Sequence, residues 1–140
     1  MRTILGKIAN HADGYHVAPT NLKPVMHLIE DRMGLPELVQ GTLNICIPQH
    51  YIVIAHAVIT PTEYGLPETV KLRRCLINGY KAIIMRPDTH EVGPGHGNYH
   101  GKNHLELMGR VKFREVLRLQ DGDTVNIEVD GDDDWWESGH

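Results

Sequence analysis

The stretch KLRRCLINGYKAIIM, residues 71–85, decides the fold class because it predicts a β-hairpin. Asn78 and Gly79 stand between two β-like runs, and an Asn-Gly pair in that setting favours a type I′ turn. The sequence therefore predicts two antiparallel strands joined by this turn.

Further short strand-like runs lie on both sides of the hairpin and alternate with turn-rich segments. They are TILGKIA (3–9), TLNICI (42–47), YIVIAHAVI (51–59), HLELM (104–108) and DGDTVNIEV (121–129), the last of these a turn into a closing strand. Residues 60–69 and 86–103 hold prolines and glycines and are expected to be loops. Many short strands without βαβ alternation predict a closed or nearly closed β-barrel.

One segment, PTNLKPVMHLIEDRMGLP (19–36), is expected to form a helix. Asn21 or Thr20 can cap it, Pro24 fits its first turn, and Gly34 can end it. Its apolar stripe consists of Val25, Leu28, Ile29 and Met33. A second, much shorter helical turn is expected within VKFREVLRL (111–119).

Composition and charge are those of one small domain. A chain of 140 residues with a mass of 15.8 kDa is about the usual size of a single domain. The net charge of −4 becomes +1 once the five acids of the final segment DGDDDWWESGH (130–140) are removed. A body so near neutrality argues against nucleic-acid binding, and the segment itself is expected to be a flexible acidic tail. Cys46 and Cys75 are expected to be reduced and buried.

Membrane insertion and export are not expected. No apolar run reaches the length of a membrane span, and the start MRTILGKIA lacks the features of a signal peptide. The protein is therefore expected to be cytoplasmic.

Thr42 and Asn44 stand out because they are neutral polar residues within an apolar strand. Alternate side chains of a strand point to opposite faces, so these two share a face. They offer two hard oxygen donors, which are the ligands that Mg²⁺ prefers. The residues alone leave two interpretations open: a metal site, or a pair that only fits the strand and satisfies a neighbouring backbone group.

Several stretches occur in an order that is characteristic of one family. They are GKIA (6–9), GTLN (41–44) after a helix ending in MGLPELVQ (33–40), a segment 87–106 carrying Thr89, and VKFREVLRLQDGDTVNIEV (111–129). In this order the chain resembles the archaeal CTP-dependent riboflavin kinases. The resemblance implies a mainly β fold over residues 1–129, a small closed six-stranded cradle-loop (RIFT-like) barrel with one or two short helices. It also implies transfer of the γ-phosphate of CTP to the 5′-hydroxyl of riboflavin or a related small acceptor, giving FMN and CDP.

The resemblance implies roles for particular residues. Thr42 and Asn44 would bind Mg²⁺, Thr89 and Glu106 would bind the flavin, and Glu106 would also be the catalytic proton acceptor. The nucleotide would be bound by the first loop and by the stretch after the HLELM run. These residues are Asn10, His11, Ala12, Asp13, Gly14, Tyr15, Val111, Lys112, Phe113 and Arg114. The expected partners are small molecules, with the protein a monomer or a weak homo-oligomer.

Two features depart from the family pattern and leave alternatives open. The loop NHADGY (10–15) keeps only Gly14 of a glycine-rich phosphate loop, which allows a catalytically silent flavin- or nucleotide-binding relative. Four histidines lie in one window and could bind a transition metal, or they could be incidental residues of a flexible surface loop, or the loop could act as a lid. They are His90, His96, His100 and His104.

Overall fold

The structure is a computed structural model that describes residues 2–9, 23–39, 41–64, 69–87 and 103–129. Seven strands and three helices lie within these ranges. The strands are β1 (Thr3–Ile8), β2 (Leu43–Cys46), β3 (Ala57–Ile59), β4 (Val70–Ile77), β5 (Tyr80–Pro87), β6 (His104–Met108) and β7 (Thr124–Glu128). The helices are α1 (Lys23–Met33), α2 (Pro61–Tyr64) and α3 (Phe113–Val116).

Six of the strands close into a barrel in the order β4, β5, β6, β2, β1, β7 and back to β4. Every pairing is antiparallel, and β3 lies beside β4 outside the ring. The expected six-stranded barrel is therefore confirmed, with α2 as a helix beyond the two that the sequence predicts.

The β4–β5 hairpin has the turn that its sequence predicts. Asn78 and Gly79 both have positive φ, 47° and 88°, as a type I′ turn requires. The Asn78 side-chain Oδ1 also accepts the backbone N–H of Asn126 in β7 at 2.9 Å. The turn therefore joins two strands of the hairpin and also contacts the strand that closes the barrel.

Two apolar clusters stabilise the fold. The barrel interior contains residues such as Ile45, Ile84 and Leu107. The second cluster lies between the barrel wall and α1, where Ile29 and Met33 are fully buried, as expected, and Met26 joins them. Val25 and Leu28 are only partly buried. The helix ends at Gly34, which has a φ of 68°.

The segment 51–59, predicted to be a strand, is a strand only over Ala57–Ile59, so the prediction for its first half is wrong. Residues 51–54 alternate between buried and exposed, as a strand would, but lie outside the sheet. Basic side chains from the barrel bind their carbonyl groups instead: Arg86 Nη1 donates to Tyr51 at 2.7 Å and Arg73 Nη1 to Ile54 at 2.9 Å. The polar groups of this segment are thus satisfied by side chains rather than by a neighbouring strand.

Residues 60–69 were predicted to be loop throughout, and α2 corrects this. The backbone N–H of Thr60 donates to the Glu63 carboxylate at 2.7 Å, while the Glu63 N–H donates to the Thr60 carbonyl at 3.0 Å. This is a capping arrangement, and its signal Thr-x-x-Glu is present in the sequence. Pro61 then occupies the first helical position, where its missing N–H costs nothing.

Both cysteines are free thiols. Cys75 faces the barrel interior and packs there as a small hydrophobic residue, as expected. Burial raises the pKa of its thiol. Cys46 is exposed, which corrects the expectation that it is buried. It lies at an outward-facing position of β2, on the same face as Asn44. Among the described helices, none has the length and apolar character needed to cross a membrane.

Candidate active site

The β2–β6 pair brings two of the predicted functional residues together. Asn44 lies directly opposite Glu106 in the register of this pair. Leu43 and Ile45 point into the barrel, so Asn44 and Glu106 share the outer face. Directly opposed residues in an antiparallel pair have Cβ atoms about 4.5–5.5 Å apart. The predicted metal ligand and the predicted acceptor residue are therefore neighbours.

Thr42 comes just before β2 and follows Gly41, whose φ of 110° favours glycine. Its Oγ1 atom is buried and has no hydrogen-bond partner within the described part of the chain. Leaving such a hydroxyl without a partner costs about 1–3 kcal/mol of folding free energy. The hydroxyl therefore has hydrogen-bonding capacity that the described part of the chain does not use.

Thr42 also lines a cleft of about 290 Å³. Part of its lining is the stretch 111–114, to which the family resemblance assigns nucleotide contacts. The lining residues are Val39, Gly41, Thr42, Leu43, Leu107, Gly109, Val111, Lys112, Phe113, Arg114 and Glu115. The structure thus places one predicted metal ligand and all of the predicted contacts between 111 and 114 around one cavity.

The residues from Val111 to Arg114 have different environments within this wall. Lys112 is exposed, whereas Phe113 is buried in the barrel core and meets the Tyr80 ring edge to face at 6.5 Å. Arg114 Nη2 lies 2.8 Å from the Asp121 carboxylate and donates to the Ala9 carbonyl at 2.9 Å. Arg114 therefore links α3 to the residue that precedes the predicted phosphate loop.

Glu106 is buried, with 8% of its surface exposed. It faces Asn44 on β2 and Met85 on β5 across the outer side of the barrel. A carboxylate in such a place is held by its strand rather than by a mobile loop. This gives it the fixed position that a proton acceptor or a ligand contact needs.

Other predicted site residues lie outside the described ranges. These are Asn10, His11, Ala12, Asp13, Gly14, Tyr15 and Thr89, together with His90, His96 and His100 and the segment 130–140. Their roles stay predictions. Within the described residues, no group of three or more histidine, cysteine or acidic side chains could hold a metal.

Sequence reasoning missed Gly109, which borders the cleft at the end of β6. A Cβ at this position would lie 2.3 Å and 2.7 Å from two ring atoms of Phe113. Only a residue without a side chain lets the Phe113 ring pack here. The sequence carries no local signal for this contact, because it depends on how the chain folds back after β6.

The donor set at the Thr42–Asn44 face fits a hard divalent cation. Both side chains present neutral oxygens, and the buried Thr42 Oγ1 lacks a partner among the described residues. Mg²⁺ takes few protein ligands and completes its coordination with water and substrate phosphates. Two neutral side-chain oxygens two residues apart match that requirement better than a closed cage would.

Comparison with known proteins gives one family. The model of the CTP-dependent riboflavin kinase family, described as "Domain of unknown function DUF120", matches residues 19–129. The chain is 29% identical over 118 residues to a riboflavin kinase of Pyrobaculum arsenaticum, covering 78% of this chain and 52% of that protein. It is 31% identical over 104 residues to the riboflavin kinase of Methanocella arvoryzae, covering 71% of this chain and 44% of that protein. It is 33% identical over 98 residues to the riboflavin kinase of Methanobrevibacter smithii, covering 63% of this chain and 69% of that protein. The chain therefore spans about half the length of the first two relatives.

Proposed function

The chain belongs to the CTP-dependent riboflavin kinase family, and we propose that it transfers the γ-phosphate of CTP to the 5′-hydroxyl of riboflavin. The observation that carries this proposal is that the Asn44–Glu106 pair, which does not itself line the cleft, lies two residues along the chain from Thr42, which does. Asn44 opposes Glu106 across two strands, and Thr42, two residues before Asn44, lines the cleft that Val111 to Arg114 border. Metal, acceptor and nucleotide contacts would thereby lie side by side.

Thr42 and Asn44 would hold the Mg²⁺ ion through their side-chain oxygens. When bound, such an ion neutralises negative charge on the phosphate oxygens and orients the transferred group. The buried hydroxyl of Thr42 would then gain a partner that the described chain does not give it.

Glu106 would act on the acceptor. In the transfer, a bond forms between the riboflavin 5′-oxygen and the γ-phosphorus while the bond from that phosphorus to the bridging oxygen of CDP breaks. The hydroxyl proton goes to the Glu106 carboxylate, which its buried strand position holds in place. Thr89 would contribute a second flavin contact, as the resemblance implies.

Lys112 and Arg114 would bind the nucleotide at the cleft. Phosphoryl transfer depends mainly on positioning and on offsetting the charge that develops on the phosphate oxygens. The exposed Lys112 ammonium can reach a bound phosphate, and Arg114 fixes α3 against Ala9. Residues 10–15 would contact the nucleotide, as the resemblance implies, with His11 or His16 as a donor in place of the absent glycines.

The test is a product assay with purified protein, Mg²⁺, riboflavin and each of CTP, ATP, GTP and UTP in turn. We expect FMN and CDP in equal amounts with CTP, and much slower FMN formation with the other three nucleotides. Tight flavin or nucleotide binding without any FMN would refute the kinase proposal and favour a silent binding protein. FMN formation with ATP alone would refute CTP as the donor.

A further inference from the structure

We propose that His104 is a positioning residue that holds the Asn44 amide with its oxygen available to the metal. The inference deepens the proposed function and rests on Asn44 being a metal ligand. The His104 Nε2 atom lies 3.3 Å from Asn44 Oδ1. His104 is half-buried at the start of β6 and lies opposite Cys46, one outward position away from the Asn44–Glu106 pair.

The backbone of His104 is fixed from two sides. Its carbonyl accepts a hydrogen bond from Arg86 Nη2 at 2.9 Å, and Arg86 is fully buried in the barrel. The carbonyl of Asn103, just before it, accepts the N–H of Ile47 at 2.9 Å. The imidazole therefore projects from a backbone that is hydrogen-bonded to the barrel on both sides.

The contact has a chemical consequence for Asn44. An asparagine amide carries one oxygen acceptor and one NH₂ donor, and only the oxygen can bind a cation. With the ring proton on Nε2, His104 donates to Oδ1, and an amide turned by 180° would instead place two donors against each other. Oδ1 has a second lone pair, which stays available for the metal. In this tautomer the ring selects the oxygen-presenting orientation, as outer partners of metal ligands do.

This role differs from that of the predicted histidine metal cluster. The described part of the chain contains no group of three metal-binding side chains around His104. Its contact is with the amide of Asn44, and Glu106 lies two residues further along the same strand. Removing the His104 donor should therefore weaken metal binding more than riboflavin binding.

The experiment measures binding of Mn²⁺ as a probe by electron paramagnetic resonance, in the presence of CTP and without riboflavin. His104→Phe keeps a ring but removes the donor, and we expect its Mn²⁺ affinity to fall about 10- to 100-fold. His104→Gln restores a side-chain N–H and should retain most of the affinity. His27→Leu, on the exposed face of α1, is the matched control and should bind as the wild type does. If His104→Phe does not fold, His104→Leu replaces it.

Asn44→Ala separates the two claims. Loss of Mn²⁺ binding in Asn44→Ala with unchanged or tighter binding in the His104 donor-free variant overturns the positioning role alone. Unchanged binding in Asn44→Ala overturns the proposed metal site itself. A rise in the KM for Mg²⁺ with an unchanged KM for riboflavin supports the positioning role, whereas equal rises in both contradict it.

Discussion

At one atom, Thr42 combines a stability cost with a proposed role in metal binding. Its Oγ1 is shielded from water and lacks a hydrogen-bond partner among the described residues, so the folded protein loses the hydration of this hydroxyl without replacement. A cation that binds Oγ1 would supply the missing partner. Stability and metal binding therefore make opposite demands on this side chain.

The variant Thr42→Val separates these demands, because valine keeps the shape of threonine without the hydroxyl. We expect its free energy of unfolding, measured by urea denaturation in EDTA, to be unchanged or raised by about 1 kcal/mol. We expect its rate of FMN formation to fall at least tenfold. A clear loss of stability in EDTA would mean that the hydroxyl has a partner in the folded protein, against the present account.

At the scale of elements, the contact between the end of β6 and α3 shapes the cleft. Gly109 directly follows β6. The Phe113 ring of α3 packs in the space that a side chain at position 109 would otherwise occupy. The Gly109 carbonyl also accepts the N–H of Val39 at 2.8 Å, so the same residue holds the segment after α1. One glycine therefore sets the spacing between two walls of the site.

Gly109→Ala should destabilise the protein by about 1–3 kcal/mol, because the new methyl group overlaps the Phe113 ring. Leucine lacks the ring atoms that would be overlapped, so Phe113→Leu in the Gly109→Ala background should recover part of this loss. Thermal denaturation of the two single variants and the double variant gives the coupling between the sites. Additive losses would contradict the contact.

Helices α1 and α2 are joined by an ion pair between Arg32 and Glu63. Hydrogen bonds from Arg32 and from the Thr60 backbone lower the pKa of Glu63 from 4.5 to about 2. A carboxylate whose pKa is lower in the folded state than in the unfolded state stabilises the fold at pH values above the unfolded-state pKa. This contribution is lost as the pH falls towards the folded-state pKa. The pair is exposed, so solvent and salt screen it and its contribution is modest.

We expect Glu63→Gln to be less stable than the wild type at pH 7, with the difference shrinking between pH 4.5 and about 2. Urea unfolding across this pH range gives the difference, and added salt should reduce it. Glu37→Gln, an exposed carboxylate 3.4 Å from Arg110, is the control for a general loss of charge. A difference that is constant with pH would show that the Glu63 charge has no role.

At the scale of the whole molecule, the elements with local signals could be predicted from the sequence. Asn78-Gly79 encodes its own turn, and the stripe that includes Ile29 and Met33 encodes the buried side of α1. Residues 51–54 could not be predicted, because their conformation depends on Arg73 and Arg86 from distant parts of the chain. The apolar pattern alone is the same for a strand within a sheet and for an extended segment beside one.

The candidate site divides along the same line. The shared face of Thr42 and Asn44 follows from strand alternation, which is a local rule. Their neighbours depend on register: Asn44 meets Glu106 and His104 only because β2 and β6 pair as they do. Sequence spacing groups His104 with the other histidines of its window, whereas the barrel places it next to Asn44. Contacts between strands distant in sequence carry no local signal.

The central claim is that the side-chain oxygens of Thr42 and Asn44 are required for phosphoryl transfer to riboflavin. The most direct measurement is the rate of FMN formation from CTP and riboflavin by Asn44→Ala, beside Asn126→Ala on the exposed side of β7 as a control. We expect Asn44→Ala to lose turnover with an unchanged melting temperature, because the substitution removes a proposed metal ligand and no core volume. We expect Asn126→Ala to keep wild-type turnover. Wild-type turnover in a folded Asn44→Ala protein would contradict the account.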